Sequence, residues 1–154
     1  MATLKTIFIS TLALLCGACT NGVDDPVGAI RPGESTPFYL EVTEITATSA
    51  QVSVMPKDKT AKYHFDVLTA DYFDLFNDQY GFQRFVDSCI KNLMEIKAMT
   101  REEVLELMLL AGDNSHIFSD LSTDSNYHAV VIGTDDSGTI STDVITLPFK
   151  TLAE

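Results

Sequence analysis

Residues 121–133 read LSTDSNYHAVVIG, and the second half of this stretch decides the fold of the chain. Positions 127–133 are rich in β-branched and aromatic residues, and apolar side chains stand at both odd and even positions. A strand that is apolar on both faces lies inside a protein, whereas a half-buried strand alternates. We therefore predict that residues 127–133 form the central strand of a sheet. The polar turn at residues 135–138 (DDSG) predicts a hairpin, followed by a last strand between residues 140 and 149.

Three further strands are predicted before position 70. Apolar and polar residues alternate over residues 38–45, 48–54 and 63–67, which is the period-2 pattern of half-buried strands. Short polar segments separate these runs. Because short connections usually join neighbouring strands, we predict that the three strands form an antiparallel meander.

The periodicity changes from 2 to 3.6 at position 70, and residues 70–112 are predicted to form about three helices. Thr69 precedes an acidic first turn, as an N-cap residue does. Between positions 82 and 94 apolar residues recur at i, i+3, i+4 and i+7, which indicates an amphipathic helix. Residues 100–103 (TREE) are a capping box, and the helix that they open is expected to end at Gly112.

The composition is that of one globular domain. The chain has 154 residues, 45% of them hydrophobic, which is enough to build a core without disulfides or metals. Asp and Glu number 22 and Lys and Arg number 10, so the formal net charge is −12 at pH 7. Because nucleic-acid binding depends on clustered cations, this balance argues against a nucleic acid as partner. We predict a single domain over residues 38–152.

The first 18 residues, MATLKTIFISTLALLCGA, have the order of regions found in a secretory signal peptide. One cation, Lys5, precedes an apolar run at residues 7–15, and the small residues Gly17 and Ala18 follow. The apolar run is shorter than the ~20 residues that span a bilayer, so a permanent transmembrane helix is not expected. Residues 1–18 are therefore predicted to be removed from the mature protein.

The end of this segment, Cys16-Gly17-Ala18-Cys19, resembles a bacterial lipobox. A lipobox prefers Leu at the position that Cys16 occupies here. The resemblance implies that Cys19 is acylated on its thiol, by palmitate or a similar chain, and becomes the first residue of a lipoprotein. It implies a membrane anchor at Cys19 and a place in the cell outer membrane. An ordinary signal peptide followed by a chance cysteine is the alternative.

Residues 19–37 are predicted to be a flexible tether, because Gly and Pro are frequent and no periodicity is present. The acidic pair at 24–25 (DD) resembles the short signals that route some lipoproteins to the outer face of the outer membrane, so surface exposure is expected. If Cys16 leaves with the signal and Cys19 is acylated, Cys89 is the only remaining thiol. Its place on an apolar helix face predicts a small buried side chain and not a nucleophile.

The segment from Leu121 to Tyr127 resembles the E–F corner of a fibronectin type III domain. In that family a Leu stands six residues before a Tyr whose hydroxyl bonds to the upstream backbone, an arrangement called the tyrosine corner. Thr123 stands where the family usually has Pro, and the family's early Trp is absent. The resemblance implies an α+β chain that is mainly an antiparallel β-sandwich of the fibronectin type III or immunoglobulin-like kind. The helical insert, residues 70–112, would follow the third strand, replace the middle edge strand and cover one side of the sandwich.

Few residues carry a signal for catalysis, and we predict that the protein is not an enzyme. Glu102, Glu103 and Glu106 share one predicted helix, where Glu102 and Glu106 stand at i,i+4. Such a pair acts as general acid and base only in a pocket that shifts one pKa, so a solvated helix face is the simpler interpretation. Residues 135–138 lack the closing acid of a calcium loop and are interpreted as a turn. The motifs of serine hydrolases, P-loops and dinucleotide sites do not occur in the sequence.

The three histidines do not have the spacing of a metal site. His64, His116 and His128 form no H-E-x-x-H pattern, and no cysteine is near them in the sequence. His64 and Asp66 share one face of the third predicted strand. His64 and His128 lie on separate predicted strands and could meet across a sheet, where a structural role is expected. We predict neither a metal nor a cofactor.

These observations favour a non-catalytic, lipid-anchored interaction or adhesion module of the cell envelope. The alternative is an accessory subunit that binds a glycan or peptide for an outer-membrane uptake or hydrolase system. An enzyme that uses the helix carboxylates is a weaker alternative. Aromatic residues of the first predicted helix could form a sugar-binding surface, although packing on the sandwich is the expected role. These residues are Tyr72, Phe73, Phe76 and Tyr80.

Overall fold

The computed structural model of the protein describes Ala29–Ile30 and residues 36–154. The predicted signal peptide (1–18), Cys19 and most of the predicted tether (19–37) lie outside the described residues. The strands are β1 (Ala29–Ile30), β2 (Phe38–Thr43), β3 (Ala50–Pro56), β4 (Lys62–Thr69), β5 (Asn114–Phe118), β6 (Asn126–Thr134) and β7 (Ile145–Lys150). The helices are α1 (Ala70–Asp74), a π-helix (Leu75–Tyr80), α2 (Phe82–Lys97) and α3 (Arg101–Met108).

The strands form two antiparallel sheets that face each other. One sheet has the strand order β1-β2-β3-β5, and the other has the order β4-β6-β7. With the helices inserted between β4 and β5, the chain is an α+β protein built on a β-sandwich, and the predicted fold class is confirmed. β6 lies between β4 and β7, which agrees with the central strand that its apolar residues predicted.

The predicted three-stranded meander is wrong in its third strand. β2 and β3 pair as expected, with Phe38 opposite Pro56. After Pro56 the chain crosses to the other sheet, where β4 pairs with β6 and Thr69 lies opposite Tyr127. Alternation along a strand reports which of its faces are buried, but it does not report which strand lies alongside.

The inner faces of the two sheets enclose the larger apolar core. Alternate residues of β2 and β3 are buried, as the period-2 pattern of these strands requires. The rings of Phe38 and Tyr63 meet edge to face across this core, with centroids 5.3 Å apart. The buried residues of this core are Phe38, Leu40, Val42, Ala50, Val52, Val54, Tyr63, Phe65, Tyr127, Ala129, Val131, Ile145, Leu147 and Phe149.

The helices cover the outer face of the β4-β6-β7 sheet and form a second core with it. Val130 and Ile132 face the helices, while Val131 faces the other sheet, so β6 is buried on both sides. The order of layers is therefore sheet, sheet, helices. The buried residues of the second core are Leu68, Phe73, Phe76, Phe85, Val86, Ile90, Leu93, Val104, Met108, Leu109, Val130 and Ile132.

Side-chain caps begin two of the helices where the sequence predicts them. The Thr69 hydroxyl accepts a hydrogen bond from the backbone N–H of Tyr72 at 3.3 Å. Thr100 and Glu103 form the complete capping box of α3, each side chain bonding the other residue's backbone N–H. In the part of the chain that the structure describes, no helix is both long and apolar enough to cross a membrane.

α3 ends at Met108, before the predicted end at Gly112. The backbone of Leu110 pairs with that of Tyr63 on β4, with N···O distances of 2.8 and 3.0 Å. This pairing requires extended backbone, so the helix cannot continue through Leu110. Gly112 still has a positive φ of 68°, the conformation that favours glycine.

Candidate functional site

Tyr127 is the second residue of β6, and its hydroxyl turns back on the chain that precedes the strand. Its Oη accepts a hydrogen bond from the backbone N–H of Ser122 at 2.8 Å. The residue is 5% exposed, and its ring stacks on Phe149 with centroids 5.7 Å apart. Leu121 packs against the core between the sheets, and its N–H donates to the Thr48 carbonyl at 3.0 Å. These contacts hold the segment before β6 against both sheets, which is a structural role.

We expect Tyr127→Phe to lower the free energy of unfolding by about 1–3 kcal/mol, because the Ser122 N–H loses its partner. Each kcal/mol corresponds to a fall in Tm of roughly 2–6 °C for a domain of this size. Thermal unfolding followed by circular dichroism measures the shift. Tyr80→Phe is the control, because Tyr80 is 48% exposed. Equal, negligible shifts in both variants would contradict a structural role for the Tyr127 hydroxyl.

The four aromatic residues considered as a sugar-binding surface do not share an exposed face. Phe73 and Phe76 are buried in the core beneath the helices. Tyr72 is half-buried, and Tyr80 is exposed. The Arg84 guanidinium lies 4.6 Å from the centroid of the Tyr80 ring and covers one of its faces. Phe73 and Phe76 are therefore not available to a sugar, and the proposed sugar-binding surface is wrong for these two residues. They pack on the sandwich, because the helices need an apolar contact with the sheet.

The helix carboxylates lie at a groove that is open to solvent. Glu102 and Glu106 line this groove of about 310 Å³ together with Lys62 and Asp136. Both glutamates are exposed, and Glu103 is engaged in the capping box. A general acid–base pair works in a pocket that shields it from water, whereas this groove leaves both carboxylates in solvent. The groove gives the enzyme alternative no support.

The two histidines that could meet across a sheet lie apart. In the antiparallel register of β4 and β6, His64 is opposite Ile132 and His128 is opposite Leu68. The His128 ring stacks on Phe73 with centroids 4.0 Å apart. Burial lowers the pKa of His128, and the nearby charge of Asp74 opposes this shift only in part. His128 therefore belongs to the packing beside the helices.

His64 approaches Asp66 and Cys89 instead. His64 and Asp66 are two residues apart on β4, so both point from the outer face of the sheet toward the helices. Cys89 lies on α2, which packs on that face. The potential ligand atoms of the three residues all lie within 4.8 Å of one another, and His64 Nε2 is 3.9 Å from Asp66 Oδ2. We call these three residues the His–Asp–Cys cluster.

The His–Asp–Cys cluster is largely shielded from water. His64 is 4% exposed, and its buried Nε2 has no hydrogen-bond partner. Asp66 and Cys89 are half-buried. Burial, and to a smaller extent the charge of Asp66, raises the pKa of the Cys89 thiol to about 12. The thiol is therefore protonated at neutral pH and is a poor nucleophile in the protein alone.

Sequence spacing does not bring the three residues of this cluster together. Asp66 and His64 share a strand face, but Cys89 stands more than twenty positions later on a helix. Their proximity depends on how α2 packs across β4, which no local pattern reports. The sequence does contain one signal for this cluster. It is a His-x-Asp pair on the strand that leads into the insert, together with a cysteine on the apolar face of the insert's longest helix.

No protein-family model matches the chain, and no curated protein matches it. Several solved structures are similar to it, among them the following two. One is a computationally redesigned β-sandwich protein, with 14% identity over 74% of this chain and 90% of that chain and a TM-score of 0.40. Another is the sensor domain of the anti-sigma factor RsgI4 of Pseudobacteroides cellulosolvens, with 17% identity over 77% of this chain and 98% of that chain and a TM-score of 0.37. A likeness of this degree carries no inference about function.

Proposed function

We propose that the chain is a lipid-anchored module of the bacterial cell envelope that interacts with a partner without catalysis. The observation that carries the proposal is the position of Cys19, directly after Gly17 and Ala18 at the end of a short apolar run. Acylation there would hold the protein in the outer membrane, and the acidic pair at 24–25 favours the outer face of that membrane. An anchor, a tether and a sandwich in this order suit a module held at a membrane surface.

We also propose that the sandwich is of the fibronectin type III-like kind. In immunoglobulin-like sandwiches, strands C, F and G form one sheet, and strands A, B and E lie in the other. If β2, β3 and β4 are taken as A, B and C, and β5, β6 and β7 as E, F and G, the two sheets divide in the same way. The helical insert then stands between C and E. The hydrogen bond between the Tyr127 hydroxyl and the Ser122 backbone, at the corner between E and F, supports this proposal.

An interaction role receives more support than the alternatives. β5 is an edge strand of its sheet, and Ile117 on it is 56% exposed. An edge strand offers unpaired backbone groups to which a partner can add a strand. The accessory glycan-binding role receives less support, because Arg84 covers one face of Tyr80, the exposed member of the four aromatic residues. Genes for carbohydrate uptake beside this one would favour the accessory role instead.

The anchor is tested by Cys19→Ser. We expect the variant to remain an unacylated precursor and to be lost from the membrane fraction, because the serine hydroxyl does not replace the thiol that accepts the lipid. Fractionation, followed by intact-mass measurement of the purified protein, gives the result. A variant that still sediments with membranes, or a native protein without an added acyl mass, would overturn the lipoprotein proposal.

Cys16→Leu is the matched control for the anchor. It changes the other cysteine of the segment to the residue that a lipobox prefers, so acylation and membrane association should persist. Protease added to intact cells then tests surface display of the native protein. Cleavage supports the outer face, and full protection until the outer membrane is permeabilised places the domain on the periplasmic face.

A further inference from the structure

We propose that the His–Asp–Cys cluster is a binding site for a transition-metal dication of the Zn²⁺ class. The cluster offers three potential ligand atoms that lie within 4.8 Å of one another, where β4 meets α2. They are an imidazole nitrogen of His64, a carboxylate oxygen of Asp66 and the sulfur of Cys89. The proposal does not depend on the lipid anchor or on the interaction role. It assigns to the interface between the sheet and the helical insert a ligand that would hold the two together.

The first argument is the buried imidazole. Nε2 of His64 lies out of reach of water and has no hydrogen-bond partner, and it faces the Asp66 carboxylate. A buried polar atom without a partner is unfavourable, and such an atom in a native fold calls for a specific explanation. A cation placed between Nε2 and the carboxylate supplies the missing partner, because neutral imidazole offers a lone pair there.

The second argument is distance. Zn²⁺ binds nitrogen and oxygen at roughly 2.0–2.2 Å and sulfur at about 2.3 Å, so two ligands of one ion lie no more than about 4.1–4.5 Å apart. The separation of 3.9 Å between His64 Nε2 and Asp66 Oδ2 already meets this limit. The other pairs lie within 4.8 Å, so small side-chain rotations bring all three ligands onto one ion.

The third argument is the rigidity of the three ligands. His64 and Asp66 stand on a strand that is paired with β6 along its whole length, and the Asp66 Oδ1 is held by the Val67 N–H at 2.8 Å. That bond leaves Oδ2 directed at His64. Cys89 is held on α2, whose apolar face packs on the same sheet. Ligands fixed on a strand and a helix are positioned before the ion arrives, which lowers the entropic cost of binding.

The donor set selects the kind of ion. Thiolate and imidazole ligands suit Zn²⁺, Co²⁺ and similar ions, whereas Ca²⁺ and Mg²⁺ require oxygen ligands. Three protein ligands leave a fourth position of a tetrahedral ion for a solvent molecule.

Charge is balanced when the ion binds. The metal-free cluster holds one carboxylate and a protonated thiol, and the bound form holds a carboxylate, a thiolate and a dication. The Cys89 S–H bond breaks, its proton passes to buffer and a bond forms between sulfur and metal, so binding releases one proton.

Cobalt(II) titration of the full chain tests the proposal. Cys16→Ser and Cys19→Ser are introduced first, so that Cys89 is the only thiol. We expect a thiolate-to-cobalt charge-transfer absorption that saturates at one equivalent and disappears when Zn²⁺ is added. All three residues of the cluster are intact in this starting chain. Because Cys89 is its one remaining thiol, the charge-transfer absorption reports a bond between Cys89 and cobalt.

Variants of the ligands and matched controls complete the experiment. In the same background, Cys89→Ala should abolish the charge-transfer absorption, and Asp66→Asn and His64→Gln should each weaken cobalt binding by about tenfold or more. Asp87→Asn and His116→Ala should leave binding unchanged, because Asp87 is exposed on α2 and His116 lies on β5.

The outcomes separate clearly. Zn²⁺ should also raise the Tm of the starting chain, as any ligand specific for the folded state does. A folded starting chain with no saturable cobalt absorption overturns the site. Absorption that persists in Cys89→Ala, or that is lost equally in Asp87→Asn, overturns it as well. If a ligand variant does not fold, the spectrum and the zinc-dependent Tm of the starting chain decide the question.

Discussion

Replacing Phe85 with alanine is expected to lower the free energy of unfolding by about 3–5 kcal/mol, the usual cost of removing a buried phenylalanine ring. Phe85 is 3% exposed. Its ring centroid lies 5.3 Å from that of Phe76 and 6.2 Å from that of His64, so it joins α2, the π-helix and β4. Alanine leaves a cavity at this junction that the neighbouring rings fill only in part. Urea unfolding followed by circular dichroism measures the loss.

Ile96→Ala is the control on the same helix. Ile96 is 75% exposed, so its truncation should change the free energy of unfolding by less than about 0.5 kcal/mol. If Phe85→Ala were no less stable than Ile96→Ala, the helices would not share a core with the β4-β6-β7 sheet.

The second large effect is expected at Tyr63. This residue is fully buried, and its ring packs edge to face against Phe38. Its hydroxyl donates to the carbonyl of Gly112 and accepts from the Asn114 side-chain amide, both at 2.8 Å. Tyr63→Ala removes the ring and the hydroxyl, and we expect a loss of about 3–5 kcal/mol. Tyr63→Phe keeps the ring and removes both hydroxyl bonds, but the Asn114 amide still donates to the carbonyls of Ala111 and Gly112 at 3.0 and 3.3 Å. We therefore expect a smaller loss of about 0.5–1.5 kcal/mol.

The order of the three melting temperatures is the test of this second prediction. The native protein should melt highest, Tyr63→Phe lower and Tyr63→Ala lowest. If Tyr63→Phe melted with the native protein, the hydroxyl would not hold the end of the insert against β4. If Tyr63→Ala melted with Tyr63→Phe, the ring would contribute nothing to the core between the sheets.

The helices and strands could be predicted because their signals are local. The capping box at Thr100 and Glu103 needs only residues within one turn. The apolar stripe of α2 and the two apolar faces of β6 likewise follow from spacing along a short segment. The insert had to pack on one side of the sandwich, because its apolar stripe needs a partner and the outer face of β6 offers one.

The features that could not be predicted depend on contacts between distant segments. β4 alternates like β2 and β3, yet it pairs with β6, and nothing within β4 distinguishes these outcomes. The early end of α3 depends on Leu110 meeting Tyr63. The His–Asp–Cys cluster depends on the place of β4 in its sheet and on how α2 packs against that sheet. Both are contacts between distant segments, so local sequence patterns do not predict the cluster.

The insert follows β4, which pairs with the later strand β6, and this position has a consequence for the order of folding. Thr69 pairs with Tyr127, so all of residues 70–126 form a loop that must close before these strands can zip together. Closing this loop costs entropy that grows with the logarithm of the number of flexible residues. Helices form early, so they reduce the length of flexible chain between β4 and β6 before the two strands meet. An insert that is already helical also presents the apolar stripe on which Val130 and Ile132 condense. We therefore expect the helical insert to form before β4 pairs with β6 and to promote that pairing.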